Sequence, residues 1–542
     1  MSSELGNDRQ KRQAPIEWAK DRLTRRSLIA FDLDKTVLEQ GEQDELQQFT
    51  WSICQTLIHL AEQGFHISAV TGNSLSRLSA KFVNALVREL CRYRRLSLLS
   101  QFHLFCNGAS VYIHFPSEQL GELLGYEASL AQDKDLDQFE ADKRLTEKAL
   151  SCLFADSRQA SVKDEFIDVE YLSKTAIKKE TVDAIIQIAQ GVVSTWWAKL
   201  DLDQMRSSYY INYPGGRHTD QNREVYTDCE GSENKEASVF HAFSEQGELP
   251  PQAIKRTVTD AQGIEHCPQI AVKDILSYRH ARTRMNPSED PRAYVVQQIQ
   301  QEIEKEGLPL IAVIPGGRGT IDIAKQDSNK KQALLYLIER LEIKGDSTKR
   351  EGEGINVLYF GDEVVLSGND IEVTRIPDIQ VFAVNPHHER VPMSSRIWIP
   401  RTHLIGPKAT DFVLRKLETA TADLLSTYAN DVLDGRDSPR YGHKTAVHIF
   451  REMIEREIIQ EKMERGSWLW TSGKTDLHVL NAVSTLLTVL TRPGEGAARM
   501  ADKVNRMINE WGMEAQEYKE SLIPDRSYLA LGGSHWDTEG DL

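Results

Sequence analysis

The sequence is poor in cysteine and in net positive charge, and it has no long apolar run. Its six cysteines, Cys54, Cys91, Cys106, Cys152, Cys229 and Cys267, are scattered over 542 residues with no CxxC pair. That spacing argues against a zinc finger or ribbon and against a disulfide framework, and it points to reduced thiols. With 65 basic against 81 acidic residues the formal charge is −16. The chain as a whole would repel nucleic acid and anionic membrane, although a local basic pocket for a small anion stays compatible with that balance. No uncharged apolar stretch reaches the roughly 18 residues a membrane span needs. The polar start MSSELGNDRQKRQ has no apolar signal core, so a cytoplasmic protein is expected.

What is present is an ordinary globular balance, 40% hydrophobic and 27% charged, at a length that calls for several domain-sized units. Residues 1–26 read as a polar, basic extension. Ser27–Phe31, His66–Val70 and Phe102–Cys106 are short apolar strand runs. They alternate with helical apolar spacings over Asp44–Gln63 and Ser79–Leu90, the pattern of a parallel sheet with crossover helices. From about 112 to 309 the alternation breaks, with Tyr209–Tyr213 strand-like and a polar insertion near 218–250. It resumes at Leu308–Ile314, followed by strand candidates Val357–Phe360 and Ile379–Val384. Beyond about 420 the pattern is helical: Thr421–Leu433, Lys444–Met463, Asp476–Leu490 and Ala497–Leu522. The expected fold is α/β, a doubly wound Rossmann-like parallel-sheet core at 27–111 and 310–420. An α+β cap is inserted at 112–309, and a helical domain follows at 421–542.

Chemistry concentrates at strand ends, where open α/β sheets bind ligands. Phe31-Asp32-Leu33-Asp34-Lys35-Thr36 sets two carboxylates at i and i+2 just past a strand. One can attack phosphorus while the other relays a proton, and a phosphate beside them needs a divalent cation with hard oxygen ligands, Mg2+ being the natural choice. Ser68-Ala69-Val70-Thr71-Gly72-Asn73 ends a second strand in a hydroxyl and a glycine turn able to hold phosphoryl oxygens. Lys330, at a helix start, could neutralise the nucleophile and the transferring group. Gly361-Asp362-Glu363, leading to Gly368-Asn369-Asp370, is a further acidic cluster at a strand end. Taken singly, each has a bland alternative: a solvated strand end, an ordinary helix cap, a surface lysine.

Taken in chain order, these elements resemble the four signature motifs of the haloacid dehalogenase superfamily. The resemblance implies Asp32 as nucleophile and Asp34 as general acid/base, with Thr71 and Lys330 holding the phosphoryl group and Thr36, Gly72 and Asn73 beside it. It implies Mg2+ on Asp32, the Asp34 backbone carbonyl and Asp362, with Asn369 and Asp370 as near neighbours. Lys35 stands where the family often has glycine. The separation between Thr71 and Lys330 matches the superfamily's C2 cap position, and Cys106-Asn107-Gly108-Ala109 resembles the turn that precedes such caps.

Gly316-Gly317-Arg318-Gly319-Thr320-Ile321-Asp322-Ile323 with Asn329-Lys330, and Tyr359-Phe360-Gly361-Asp362, resemble eukaryotic-type phosphomannomutases. Arg206, Asn212, Pro214-Gly215-Gly216-Arg217 and Arg223 are similar to that family's cap residues, with the spacing slipping by one. By that analogy Arg206, Arg217 and Arg223 grip a distal anion and Thr320 and Asp322 the sugar hydroxyls. The leading expectation is hydrolysis of a sugar phosphate or similar small metabolite. The alternatives are a phosphosugar mutase and a non-catalytic binding protein on the same fold. The expected partner is the small phosphorylated metabolite, with no nucleic acid and no membrane, and a homo-oligomer through the C-terminal helices is allowed. Ser472-Gly473-Lys474-Thr475 lacks a P-loop's first glycine, Trp468 standing there, and reads as the cap of a helix near Asp476.

Overall fold

The computed structural model describes residues 16–17, 19–38, 51–133, 136–156, 161–198, 217–220, 223–226, 252–272, 291–308, 310–315, 320–341, 356–364, 369–384, 397–400, 404–434, 444–464 and 470–472. In chain order its strands begin with β1 (Leu28–Phe31), β2 (His66–Val70), β3 (Phe102–Cys106) and β4 (Val111–His114). Then come β5 (Phe154–Asp156), β6 (Ser161–Val162), β7 (Arg217–Asp220), β8 (Arg223–Tyr226), β9 (Ala253–Thr259) and β10 (Glu265–Val272). The last are β11 (Ile311–Pro315), β12 (Ile321–Lys325), β13 (Val357–Gly361), β14 (Ile379–Ala383), β15 (Ile397–Pro400) and β16 (Trp470–Ser472).

The large sheet runs β16-β15-β14-β13-β1-β2-β3-β4. β1, β2, β3, β13, β14 and β15 are parallel, and the edge strands β4 and β16 are antiparallel. Every residue of β1, β3, β13 and β14 is buried, as a sheet covered on both faces requires. After β1 the chain builds outward through β2 and β3. It later returns to lay β13, β14 and β15 on the other side, so the strand order reverses between β1 and β13. At such a reversal the loops diverge and leave a crevice at the carboxyl edge.

The inserted region has its own antiparallel sheet, β11-β12-β10-β9. One face, with Ile270, Val272, Ile321 and Ile323, packs on helices Lys179–Trp197 and Pro291–Lys305. Here the structure departs from the sequence reading, which starts the second core segment at 310. β11 and β12 belong to this sheet, and the chain rejoins the core only at the helix Lys330–Arg340. An apolar run fixes a strand but not its sheet, because partners lie far off in sequence.

Two terminal expectations are also refined. Within the expected polar extension 1–26, the described residues from 19 on are docked, with Ala19 and Leu23 fully buried in the main core. The boundary at 420/421 falls inside one continuous helix, Pro407–Leu433, which packs on the helix Trp51–Glu62. Leu424, Leu425, Tyr428, Val447, Phe450 and Ile454 join the same core cluster as β1 and β2, and β16 adds a strand to the sheet. The described residues 421–434, 444–464 and 470–472 are therefore part of the core wall. The expected helices Asp476–Leu490 and Ala497–Leu522, with the oligomer expectation attached to them, lie outside the described residues, as do Tyr209–Tyr213 and most of 218–250. No helix among the described residues is long and apolar enough to cross a membrane.

Candidate active site

Register builds the site. Phe31 pairs with Phe360 on one side and Ala69 on the other, so Asp32, the end of β13 and the end of β2 arrive at one level. The Asp32 N–H donates to Phe360 O at 2.9 Å and the Thr71 N–H to Phe105 O at 3.0 Å, continuing the ladder to the edge. Asn329 caps the helix Lys330–Arg340 by accepting from the Gln332 N–H, which sets Lys330 at its first position.

Lys330 is the centre of a buried ionic cluster. Its Nζ lies 3.0 Å from Asp32 Oδ1 and 2.7 Å from Asp370 Oδ1, and it donates to Asn369 Oδ1 at 3.1 Å. Asp370 is further held by the Tyr359 hydroxyl and by the Glu363 N–H, 3.0 Å from Oδ2. Asp32, Asp362 and Asp370, all buried, can each offer a carboxylate oxygen within 4.8 Å of the others. Burial pushes the Asp32 carboxyl up to about 7. Lys330 opposes the shift, and Asp370 and Asp34 add to it. Burial, followed by Asp32, Glu363 and Asp370, drives Asp362 well above the carboxylate range, with Lys35 only 3.8 Å away as a partial counter-charge. Burial opposes the charge on Lys330, but Asp32 and Asp370 outweigh it and hold the ammonium form. Crowded buried carboxylates short of cations are a donor set that fits a hard divalent ion.

Asp34 stands at the rim, its side chain 41% exposed. Lys81 Nζ donates to Oδ1 at 3.0 Å and Asn73 Nδ2 to Oδ2 at 2.9 Å. Burial would raise its carboxyl, but the charge and hydrogen bond of Lys81 and the bond from Asn73 outweigh that and lower it. Thr71 is buried and its Oγ1 accepts from the Asn73 N–H at 3.2 Å, so the turn after β2 folds back on itself. Gly72 is exposed. Thr36 is fully buried, and its Oγ1 has no hydrogen-bond partner among the described residues. Lys35 adopts φ 61, a left-handed conformation that glycine would take more easily.

The structure thus brings together Asp32, Lys330, Asp362, Asn369 and Asp370, with Asp34, Asn73 and Thr71 beside them. The expected cap residues are placed as follows. Arg206, Asn212 and Gly316–Gly319 lie outside the described residues. Arg217 and Arg223 open β7 and β8, which pair only with each other, and Thr320 and Asp322 sit at the start of β12.

Sequence reasoning missed Lys81 and Tyr359, and it missed the pair Arg256 and Gln269. Register puts Arg256, Gln269, Ala271, Asp322 and Ala324 on the face of the small sheet opposite its helices. Arg256 donates to Gln269 Oε1 at 2.9 Å. Gln269 is fully buried against Gly108, in the turn that follows β3 at the catalytic edge. The only local signal for this pair was strand alternation, which a single arginine and glutamine hardly disturb.

Fold and site together define an α/β protein with a largely parallel core sheet, a separate antiparallel sheet and a carboxylate–lysine cluster at its topological switch point. No protein-family profile matches the chain. It is similar to sucrose-phosphatase 2 of Nicotiana tabacum, 25% identical over 174 residues, which cover 32% of this chain and 36% of that protein. It is also similar to probable sucrose-phosphatase 2 of Arabidopsis thaliana, 33% identical over 97 residues, covering 18% and 20%. The chain therefore spans little more than a third, at most, of the curated relatives it matches. Among solved structures, the sucrose-phosphatase of Synechocystis sp. in complex with sucrose and phosphate is 13% identical at a TM-score of 0.29, covering 72% of this chain and 98% of that one. A likeness that slight carries nothing beyond itself.

Proposed function

We propose that this protein is a magnesium-dependent phosphatase acting on a phosphorylated sugar or similar small metabolite through an aspartyl-phosphate on Asp32. The observation that carries the reading is Lys330 held between Asp32 and Asp370 beside buried Asp362 at the β1/β13 crevice. The sucrose-phosphatase relatives support a sugar phosphate as substrate class.

In this reading the Asp32 carboxylate attacks phosphorus and the ester P–O bond breaks. The leaving oxygen takes a proton from Asp34. Water then attacks the aspartyl-phosphate, Asp34 accepts its proton, the bond from phosphorus to the Asp32 oxygen breaks, and inorganic phosphate is released. Lys330 and Thr71 hold the phosphoryl oxygens. Asp32, Asp362 and the Asp34 carbonyl would hold Mg2+, which supplies neutralising charge for nucleophile and phosphoryl group. Asp370, its oxygens taken up by Lys330, Tyr359 and the Glu363 N–H, orients the cluster. The face of the small sheet that carries Arg256, Gln269 and Asp322, joined to the catalytic edge through Gln269 against Gly108, would contact the sugar.

The test is a panel of sugar phosphates with Mg2+, following phosphate release and isomer formation together. Phosphate release that stops in excess chelator and in Asp32→Asn is expected. Isomer formation without phosphate would favour a phosphosugar mutase, and activity that survives in Asp32→Asn would overturn the assignment.

A further inference from the structure

Lys81 lies in the middle of a five-residue π-helical turn, Ser79–Val83, between the helices Leu75–Leu78 and Asn84–Tyr93. Such wide turns redirect side chains off a helix's regular face and recur at functional sites. This one is fastened on three sides. Ser79 Oγ donates to Leu75 O at 2.7 Å and accepts from the Val162 N–H at 3.1 Å. Phe82, the next residue after Lys81, packs edge-on against Phe31, ring centroids 5.8 Å apart, and Phe31 directly precedes Asp32. The backbone that carries Lys81 is thereby referenced to the strand that carries the nucleophile. The Lys81 side chain is only 9% exposed, yet its ammonium meets Asp34 at the more open rim.

We propose that Lys81 is a positioning residue that fixes the orientation of the Asp34 carboxylate for proton transfer to the leaving group. This rests on the reading of Asp34 as the acid/base. Lys81 donates to Oδ1 and Asn73 to Oδ2, so two donors on opposite oxygens set the orientation of the carboxylate. In the reading above, Asp34 passes its proton to the leaving ester oxygen as the bond from Asp32 to phosphorus forms and the ester bond breaks. Without Lys81 the group keeps the bond from Asn73 and loses its second anchor.

The test uses the full-length protein with Mg2+ and a series of substituted phenyl phosphates, from p-nitrophenyl to phenyl. The quantity followed is kcat/KM, which reports the first phosphoryl transfer. A good leaving group needs no proton and a poor one does. Lys81→Met should leave p-nitrophenyl phosphate within a few-fold of wild type and cut phenyl phosphate by about tenfold or more, part of the roughly 10²–10⁴ that general acids supply. Lys81→Arg should restore most of the loss, and Lys81→Met should add no further leaving-group dependence in an Asp34→Asn background. Should Lys81→Met not fold, Lys81→Gln, a donor without charge, is read the same way. Equal losses across the series, or none, would overturn the positioning role while leaving the phosphatase reading intact. If the wild type hydrolyses none of the series, or Asp32→Asn hydrolyses it as well as wild type, the phosphatase reading falls and the role of Lys81 with it.

Discussion

Gly361 lies directly under the Asp370 carboxylate: a methyl group at position 361 would stand 2.6 Å from Asp370 Oδ2. The carboxylate cannot retreat, because Lys330, Tyr359 and the Glu363 N–H hold it from other sides. Gly361→Ala should therefore push Asp370 off Lys330. Overpacking of this kind costs about 1–3 kcal/mol. The expected result is a lower thermal midpoint together with a loss of phosphate release on the order of 10²-fold, checked by calorimetry and steady-state kinetics.

Cation binding should appear as stabilisation. Mg2+ should raise the thermal midpoint, by about 2.7 kcal/mol of stability at a hundred times Kd. Protons compete for the same carboxylates, and Asp32 is pushed up to about 7, so the rise should be larger at pH 8 than at pH 6. Asp362→Asn should abolish the rise and, by removing a crowded buried carboxyl, leave the metal-free protein no less stable. Thermal shift against Mg2+ concentration at both pH values checks this.

A histidine pair should make the core sensitive to acid. His66 Nδ1 meets His103 Nε2 at 3.1 Å, and His103 Nδ1 meets the Tyr112 hydroxyl at 2.9 Å. Burial lowers His66 to about 4 and His103 well below its usual value, with His114 and Arg340 also disfavouring charge on His103. Both rings are neutral when folded, so this stability is complete above about 6.5 and is lost as pH falls from 6.5 towards 4. For His66 it amounts to about 1–3 kcal/mol at most, at 1.36 kcal/mol per unit. The buried carboxylates shift the opposite way, so the difference between wild type and His66→Gln isolates the effect. Urea unfolding should find the variant relatively more stable at pH 5 than at pH 7.

Truncation after residue 420 should not yield a folded core. It cuts a continuous helix and removes Leu424, Leu425, Tyr428, Val447, Phe450 and Ile454 from the main cluster. At about 1.5–3 kcal/mol for each large buried side chain, the loss over these six is comparable to the roughly 5–15 kcal/mol that holds a domain together. Insoluble or unfolded protein by circular dichroism is expected, and a soluble, active fragment would contradict it.

The sequence by itself determined the strands β2 and β3 to the residue, the carboxylates at the ends of β1 and β13, and the lysine at a helix start. Those features are local: an apolar run ends where the chain meets solvent, and its last side chains are the ones a ligand can reach. Only the tertiary structure decided which of them meet. It put Lys330 between Asp32 and Asp370 and brought Lys81 to Asp34 across 47 residues of chain. It moved β11 and β12 into the small sheet and folded residues 421–434 and 444–464 onto the core. Local periodicity sets whether a segment is strand or helix. Its neighbours are chosen by the burial of whole faces against one another, a property of the assembled chain that no short window contains.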